Sequence, residues 1–275
     1  MKHSSEQEFG SGERDGLALA FSRAASAAGA TIMEIYGRAY SVMAKSDASP
    51  LTEADEAAES ILIAAVERLL PGVPIVAEES VAQNGLPDVW GHEFVLIDPL
   101  DGTKEFISRN GEFTVNIALV CDSRPVAGCV YAPAINKLFL GGQHAGVTSL
   151  RPGDSFTTSD IMPISTRPYP AEGLTAVMSR SHADTDTLAF IDRVSPTRLR
   201  NAGSSIKFCL IAEGEADVYP RFGPTMEWDT AAGHAVLAAA GGAVFTPEGM
   251  PLTYGKTERG FKNDAFIAWG GERPL

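Results

Sequence analysis

Four short stretches of this chain hold carboxylates at positions suited to gripping a hard cation. They are Asp55 at a helix start, Glu78-Glu79 after a strand, the run Asp98-Pro99-Leu100-Asp101-Gly102-Thr103 after another strand, and Trp228-Asp229 before a helix. The third is the densest. The apolar residues 94–97 are expected to be buried, so the chain emerges at Asp98. Pro99 then fixes a turn and Gly102 permits a positive φ, which lets Asp98 and Asp101 converge on one point. Two carboxylates held that close repel unless a cation or a proton neutralises them. Mg²⁺ takes oxygen ligands, typically one or two carboxylates with water and substrate phosphate, and the Leu100 carbonyl between the two aspartates adds another donor. Each stretch also has a plainer reading: a strand-ending turn at 98–102, a solvated acidic loop at 78–79, a helix cap at Asp229 and a capping box at Asp55. It is the conjunction of all four that points to a metal site.

The elements that must carry these residues can be read from apolar periodicity. Leu17, Ala20, Phe21, Ala24, Ala28, Ile32 and Ile35 recur at helical spacing and predict a helix over 16–36. A second helix is expected over 53–70, with Thr52 as N-cap, Asp55 three residues on, and Pro71-Gly72 as the stop. Strands are expected at 74–77 and 94–97. Residues 113–120, 126–131 and 137–140 are short β-rich runs that read as an antiparallel meander. The Pro-, Ser- and Thr-rich stretch 152–170 reads as a crossover, and beyond it strands (175–178, 217–219, 243–245) alternate with helices (184–193, 204–213, 230–240). The division is therefore a tail over 1–14, an α+β half over 15–156 and an α/β half over 157–275, the two halves tightly associated.

The balance of 22 Lys and Arg against 35 Asp and Glu, a net charge of −13, argues against a protein that coats nucleic acid, whose affinity comes from neutralising phosphates. A small anionic substrate stays compatible, because a bound cation reverses the field inside one site. With 44% hydrophobic residues the chain can bury a sizeable core without covalent staples. Cys121, Cys129 and Cys209 are odd in number, form no C-x-x-C pair and sit in apolar runs, so they read as buried hydrophobes in a reducing compartment. The polar N-terminus has no secretory signal and no run reaches the ~18 apolar residues of a spanning helix. A soluble, cytoplasmic protein is expected.

Residues 98–103, together with Trp228-Asp229-Thr230-Ala231-Ala232-Gly233 and the following Ala239-Ala240-Gly241-Gly242, resemble the two signature motifs of the lithium-sensitive, magnesium-dependent phosphatase superfamily that includes inositol monophosphatases. Within it, the segments 45–55 and 109–118, and above all Lys104-Glu105-Phe106 after the first motif, look most like the bacterial 3′(2′),5′-bisphosphate nucleotidase branch. The resemblance covers roughly residues 15–270. It implies a layered αβαβα sandwich of the inositol monophosphatase and fructose-1,6-bisphosphatase type, with the active site between the halves.

The resemblance also implies roles. Glu78, Asp98, Asp101, Asp229 and the Leu100 carbonyl hold two or three Mg²⁺. Asp55 and Thr103 orient the attacking water, with Glu79 behind them or touching that water. Glu78, Leu100, Asp101, Gly102, Thr103 and Asp229 face the substrate phosphate. Ser204, Ser205 and Lys207, at a helix expected to open at Ser204, hold a second phosphate or the sugar. His182 contacts the nucleotide, and Arg221 is a weaker candidate. His3, His92, His144 and His234 show no ligand spacing. The implied reaction is hydrolysis of the 3′-phosphate of adenosine 3′,5′-bisphosphate to AMP and phosphate, with action on 3′-phosphoadenylyl sulfate as well, in sulfate assimilation. The alternatives are an inositol or sugar monophosphatase on the same metal site and, remotely, a non-catalytic metal-binding protein. A nuclease is disfavoured by the acidic charge. The expected partner is a small phosphate ester, and relatives occur as monomers or homodimers. Some relatives associate peripherally with the inner membrane, but no basic amphipathic helix here supports that.

Overall fold

The computed structural model describes residues 10–44, 50–89, 92–179 and 184–271. Helix α1 (Ser11–Tyr36) starts earlier than the apolar spacing predicts, because the Glu13 carboxylate accepts from the Gly10 amide at 2.7 Å and closes the first turn within the polar stretch. A small hairpin, β1 (Val42–Ala44) and β2 (Pro50–Thr52), leads into α2 (Glu53–Leu69). Then come β3 (Ile75–Ala77), α3 (Glu78–Asn84), β4 (Glu93–Asp101) and α4 (Thr103–Ile107). The meander is β5 (Thr114–Cys121), β6 (Arg124–Ala132), β7 (Lys137–Gly141), β8 (Ala145–Ser149) and the short β9 (Met162–Pro163). The rest comprises β10 (Thr175–Ser179), α5 (Thr185–Val194), β11 (Arg198–Ala202), α6 (Ile206–Ala212), β12 (Val218–Arg221), α7 (Ala231–Ala239), β13 (Ala243–Phe245) and β14 (Phe266–Trp269).

The strands build two larger sheets, a seven-stranded one in the order β3-β4-β5-β6-β7-β8-β9 and a five-stranded one in the order β11-β10-β12-β14-β13. In the first only β3–β4 is parallel; in the second β10 runs parallel to both β11 and β12. Helices α1 and α2 cover one face of the large sheet, α6 and α7 fill the space between the sheets, and α5 covers the far face of the small one. The expected αβαβα sandwich is the observed architecture. Because both faces of the large sheet are covered, its strands read as continuous apolar runs: in β4, Phe94 and Leu96 face the inner helices while Val95 and Ile97 face α1 and α2.

Several expectations need adjustment. The meander runs on through β8 and β9, so the first half reaches Pro163 rather than 156. Strand β11 has no apolar signature because it is an exposed edge whose first four residues face solvent. Residues 12–36 of α1 are long enough to cross a membrane, and their most apolar window reaches a mean hydropathy of 1.2, contrary to the reading that no segment qualifies. Yet Phe21, Ala25, Ala28 and Ile32 are fully buried against the sheet, the position of a core helix. Cys129 and Cys209 are buried as expected, and burial pushes the Cys129 thiol up to about 12.

Candidate active site

The first acidic motif is not a turn after a strand. Strand β4 continues through Asp101, with Asp98 opposite Asn116 and Asp101 opposite Thr114 on β5. Three steps on β4 thus match two on β5, which is a bulge of one extra residue. In a regular strand Asp98 and Asp101, three apart, would point to opposite faces. The bulge turns both to the inner face and directs the intervening Leu100 into the core against α1 and α2. Pro99, which has no N–H to lose, sits in the interrupted stretch, and the Leu100 amide bonds Asp98 Oδ1 at 3.0 Å. Gly102 follows at φ 95°, where a side chain would be strained and would press on Glu105 and the Glu112 carbonyl at 3.3 Å.

Glu78 and Glu79 begin helix α3 rather than lying in a loop. That helix start is held from below by Glu59 of α2, a buried carboxylate that accepts from the amides of Glu79 at 2.7 Å and Ser80 at 2.8 Å and from the Ser80 hydroxyl at 2.6 Å. Burial raises the Glu59 pKa against these donors. Glu79 is 2% exposed.

Asp55 closes the capping box of α2 and also reaches Thr103. Its Oδ2 accepts from the Thr52 amide and hydroxyl at 2.7 and 2.6 Å, completing the capping box of α2, while Oδ1 lies 3.3 Å from the Thr103 hydroxyl. Thr103 Oγ1 is also 3.4 Å from the Leu100 carbonyl, so it donates to one of these acceptors and keeps lone pairs for a water. From the second half, Asp229 ends a single 3₁₀ turn (Glu227–Asp229) before α7, its Oδ2 capping the Met226 amide at 2.8 Å. Glu227, fully buried, ties that turn to the loop at 255–256 through the Gly255 and Lys256 amides and the Lys256 ammonium.

The result is a convergence: carboxylate oxygens of Glu78, Asp98 and Asp229 lie within 4.8 Å of one another. Asp101, beside them, accepts from Asn116 Nδ2 at 3.3 Å. Burial, partly opposed by Lys207, raises the Asp101 pKa to about 6, and burial with Asp101 and Glu78 as neighbours pushes that of Asp229 well up. Like charges crowded out of water call for a cation, and an all-oxygen donor set suits a hard divalent ion. The site opens into a cavity of about 280 Å³ whose walls include Glu78, Asp101, Gly102, Thr103, Ser204, Lys207, Arg221 and Asp229.

Two substrate-side expectations change. Ser205 is 1% exposed, and its hydroxyl accepts from Asn116 Nδ2 at 3.0 Å and donates to the Asp229 carbonyl at 2.7 Å, so it braces the site instead of facing a ligand. Helix α6 opens at Ile206, after Ser204 at φ 43°, and has only seven residues, a weaker anion cradle than a long helix starting at Ser204. Lys207 lines the cavity but its ammonium bonds the Ala202 and Ser204 carbonyls, and burial lowers its pKa to about 8. His182 lies outside the described residues. Sequence reasoning missed Glu59 and Asn116. The signals were there: Glu59 follows Asp55 by four on the same apolar helix face, and Asn116 interrupts an apolar strand.

Comparison with known proteins places this geometry in context. The sequence profile of the inositol monophosphatase family matches residues 14–267. The chain is similar to the 3′(2′),5′-bisphosphate nucleotidase CysQ of Escherichia coli, 42% identical over 241 residues that cover 87% of this chain and 94% of that protein. The protein of the same name from Buchnera aphidicola is 38% identical, covering 89% and 90%. Among solved structures, CysQ from Bacteroides thetaiotaomicron superposes with a TM-score of 0.78 at 39% identity, covering 93% of this chain and 97% of that one. An inositol monophosphatase from Anabaena shares the fold at 24% identity and a TM-score of 0.70, covering 94% and 91%.

Proposed function

Because the chain belongs to the inositol monophosphatase family, we propose that it is a Mg²⁺-dependent phosphatase that removes the 3′-phosphate of adenosine 3′,5′-bisphosphate, giving AMP and phosphate. The observation that carries this reading is the meeting of Glu78, Asp98 and Asp229 within 4.8 Å, beside a cavity whose lining also holds three cations, Lys104, Lys207 and Arg221. The named activity of the CysQ relatives, at 38–42% identity over most of the chain, supports the nucleotide over an inositol or sugar phosphate.

In this reading Glu78, Asp98, Asp101, Asp229 and the Leu100 carbonyl hold the metal. Mg²⁺ bound there supplies charge stabilisation of the phosphoryl oxygens and lowers the pKa of water. Asp55 fixes the Thr103 hydroxyl, which accepts from the attacking water and aligns it with the phosphorus. Lys207 and Arg221 meet the substrate's second phosphate, with Ser204 beside them at the cavity wall. 3′-Phosphoadenylyl sulfate, which also carries a 3′-phosphate, is a second substrate, and the role is clearance of sulfate-assimilation by-products. The reading places the enzyme in the cytoplasm, consistent with three unpaired cysteines. Lithium, close to Mg²⁺ in size with half its charge, is an expected inhibitor.

The test is phosphate release from adenosine 3′,5′-bisphosphate, 3′-phosphoadenylyl sulfate and inositol 1-phosphate with and without Mg²⁺, and with LiCl against equal NaCl. Lys207→Ala is expected to raise KM for the bisphosphate about tenfold to a hundredfold, the loss of one charge-assisted contact of roughly 1.5–3 kcal/mol, with a smaller change in kcat. Equal turnover of inositol 1-phosphate, with both substrates equally affected by the mutation, would replace the nucleotidase reading with the inositol phosphatase one.

A further inference from the structure

Asn116 stands on β5 among Val115, Ile117 and Ala118, 1% exposed and directly opposite Asp98 in the β ladder. Its amide nitrogen is within hydrogen-bond reach of two acceptors, Asp101 Oδ2 at 3.3 Å and Ser205 Oγ at 3.0 Å. The polarity of this arrangement is dictated by chemistry. The Asp101 carboxylate, when ionised, only accepts, so the NH₂ and not the carbonyl of Asn116 must face it. The Ser205 hydroxyl gives its single proton to the Asp229 carbonyl at 2.7 Å, so toward Asn116 it can only accept. Both amide protons of Asn116 are thereby engaged, and the chain of bonds runs without a break from Asp101 through Asn116 and Ser205 to Asp229.

That chain has an unusual property. Asp101 and Asn116 belong to the large sheet, whereas Ser205 precedes α6 and Asp229 precedes α7, in the other half of the molecule. The Asp229 and Asp101 carboxylates carry like charge, so nothing in their own charges holds them together before a cation arrives. A residue placed there only for packing would be apolar, like its neighbours along β5. Instead Asn116 Oδ1 is buried without a hydrogen-bond partner among the described residues, a net cost to folding.

We propose that Asn116 and Ser205 form a strut that ties the Asp101 carboxylate of one half to the Asp229 backbone of the other, and through that backbone sets where the Asp229 side chain stands. Both are positioning residues for the divalent cation, an inference that rests on the metal reading above. Neither touches substrate. Asn116 bonds the Asp101 carboxylate directly and Ser205 holds the Asp229 main chain; partners that orient metal-binding carboxylates typically change metal affinity 10–100-fold when removed.

The experiment is calorimetric titration of Mg²⁺ into the metal-free full-length chain and into Asn116→Ala, Ser205→Ala and the double variant. It is paired with melting temperatures in EDTA and with KM for the bisphosphate at saturating Mg²⁺. Each single variant should weaken Mg²⁺ binding about tenfold to a hundredfold. The double variant should be no weaker than the worse single one, because either substitution already breaks the chain. KM at saturating Mg²⁺ should stay within about twofold, and the metal-free melting temperature should stay unchanged or rise. Wild type that binds Mg²⁺ while both single variants bind it equally well would overturn the strut and leave the metal reading standing. Losses that add in the double variant and track a lowered metal-free melting temperature would reduce the pair to ordinary packing and also overturn it. Wild type that binds no Mg²⁺ would overturn the metal reading, and the strut with it.

Discussion

The acidic residues divide their oxygens. Asp55 uses one for its helix cap and one for Thr103; Asp98 bonds the Leu100 amide through Oδ1; Asp229 caps Met226 through Oδ2. Each local turn aims the carboxylate it borrows. This is why residue types and spacing made the acidic set legible while the orientation of each group was not. A sequence records that Asp98 and Asp101 are three apart; only the bulge opposite β5 decides that they share a face. The crowding has a measurable sign. Burial raises the Asp101 pKa to about 6 in the folded chain, above the 3.8 of a free side chain, so the folded state binds the extra proton between those values. Metal-free protein should accordingly lose stability as pH rises from about 4 to 6, melting higher in EDTA at pH 5 than at pH 7.5. Asp101→Asn should flatten that difference, leave the metal-free melting temperature unchanged or raised, and cut kcat by more than about a hundredfold. A steep pH dependence surviving in Asp101→Asn would assign the effect to other groups.

At the scale of elements, helices were legible where an apolar stripe was long, as in α1 and α2, and the central strands where both faces are covered. What escaped was mostly short or at an edge: α3 and α4 of seven and five residues, the edge strand β11, the hairpin β1–β2 and the strand β8; the four-residue interior strand β14 escaped too, although both its faces are covered. Such pieces take their shape from tertiary partners. Helix α3 is the clearest case, since its first turn hangs on the Glu59 carboxylate of α2, three donors converging on one side chain. Glu59→Ala leaves two buried amides and a hydroxyl without that acceptor, which should cost about 1–3 kcal/mol of stability, read as a lower denaturation midpoint. Because Glu78 begins the same turn, Mg²⁺ affinity should fall as well. A variant that is destabilised yet binds Mg²⁺ like wild type would show that α3 is held by other contacts.

For the molecule as a whole, the sequence reading expects two tightly associated halves, and the fold shows the residues that pack them together. The cluster between the sheets draws on both: Leu96, Val130 and Phe139 of the large sheet pack with Phe208, Val236 and Phe266 of the second half. Neither half encloses that core alone. The metal-free protein should therefore unfold in one calorimetric transition, with equal calorimetric and van't Hoff enthalpies. On the proposed metal reading, which draws binding groups from both halves, Mg²⁺ should move that single transition upward by mass action without splitting it. Two resolved transitions, only one of them Mg²⁺-sensitive, would mean that the halves fold separately.

Helix α7 behaves as a shim between two plates. On one side a Cβ at Gly141 would meet the Val236 Cα at 2.6 Å, and one at Gly128 would meet the Ala232 backbone at 3.1 Å; on the other side Gly233 lies flush against the Phe208 ring. Backbone cannot rotate out of the way as a side chain can, so a single methyl at Gly141 must thicken the gap and slide the helix, at about 1–3 kcal/mol. Asp229 sits two residues ahead of that helix. An inherited change such as Gly141→Ala, on a strand remote from the chemistry, should then present as an enzyme short of metal: a poor Mg²⁺ binder, partly rescued by excess Mg²⁺, with every reacting group still in its place in the sequence.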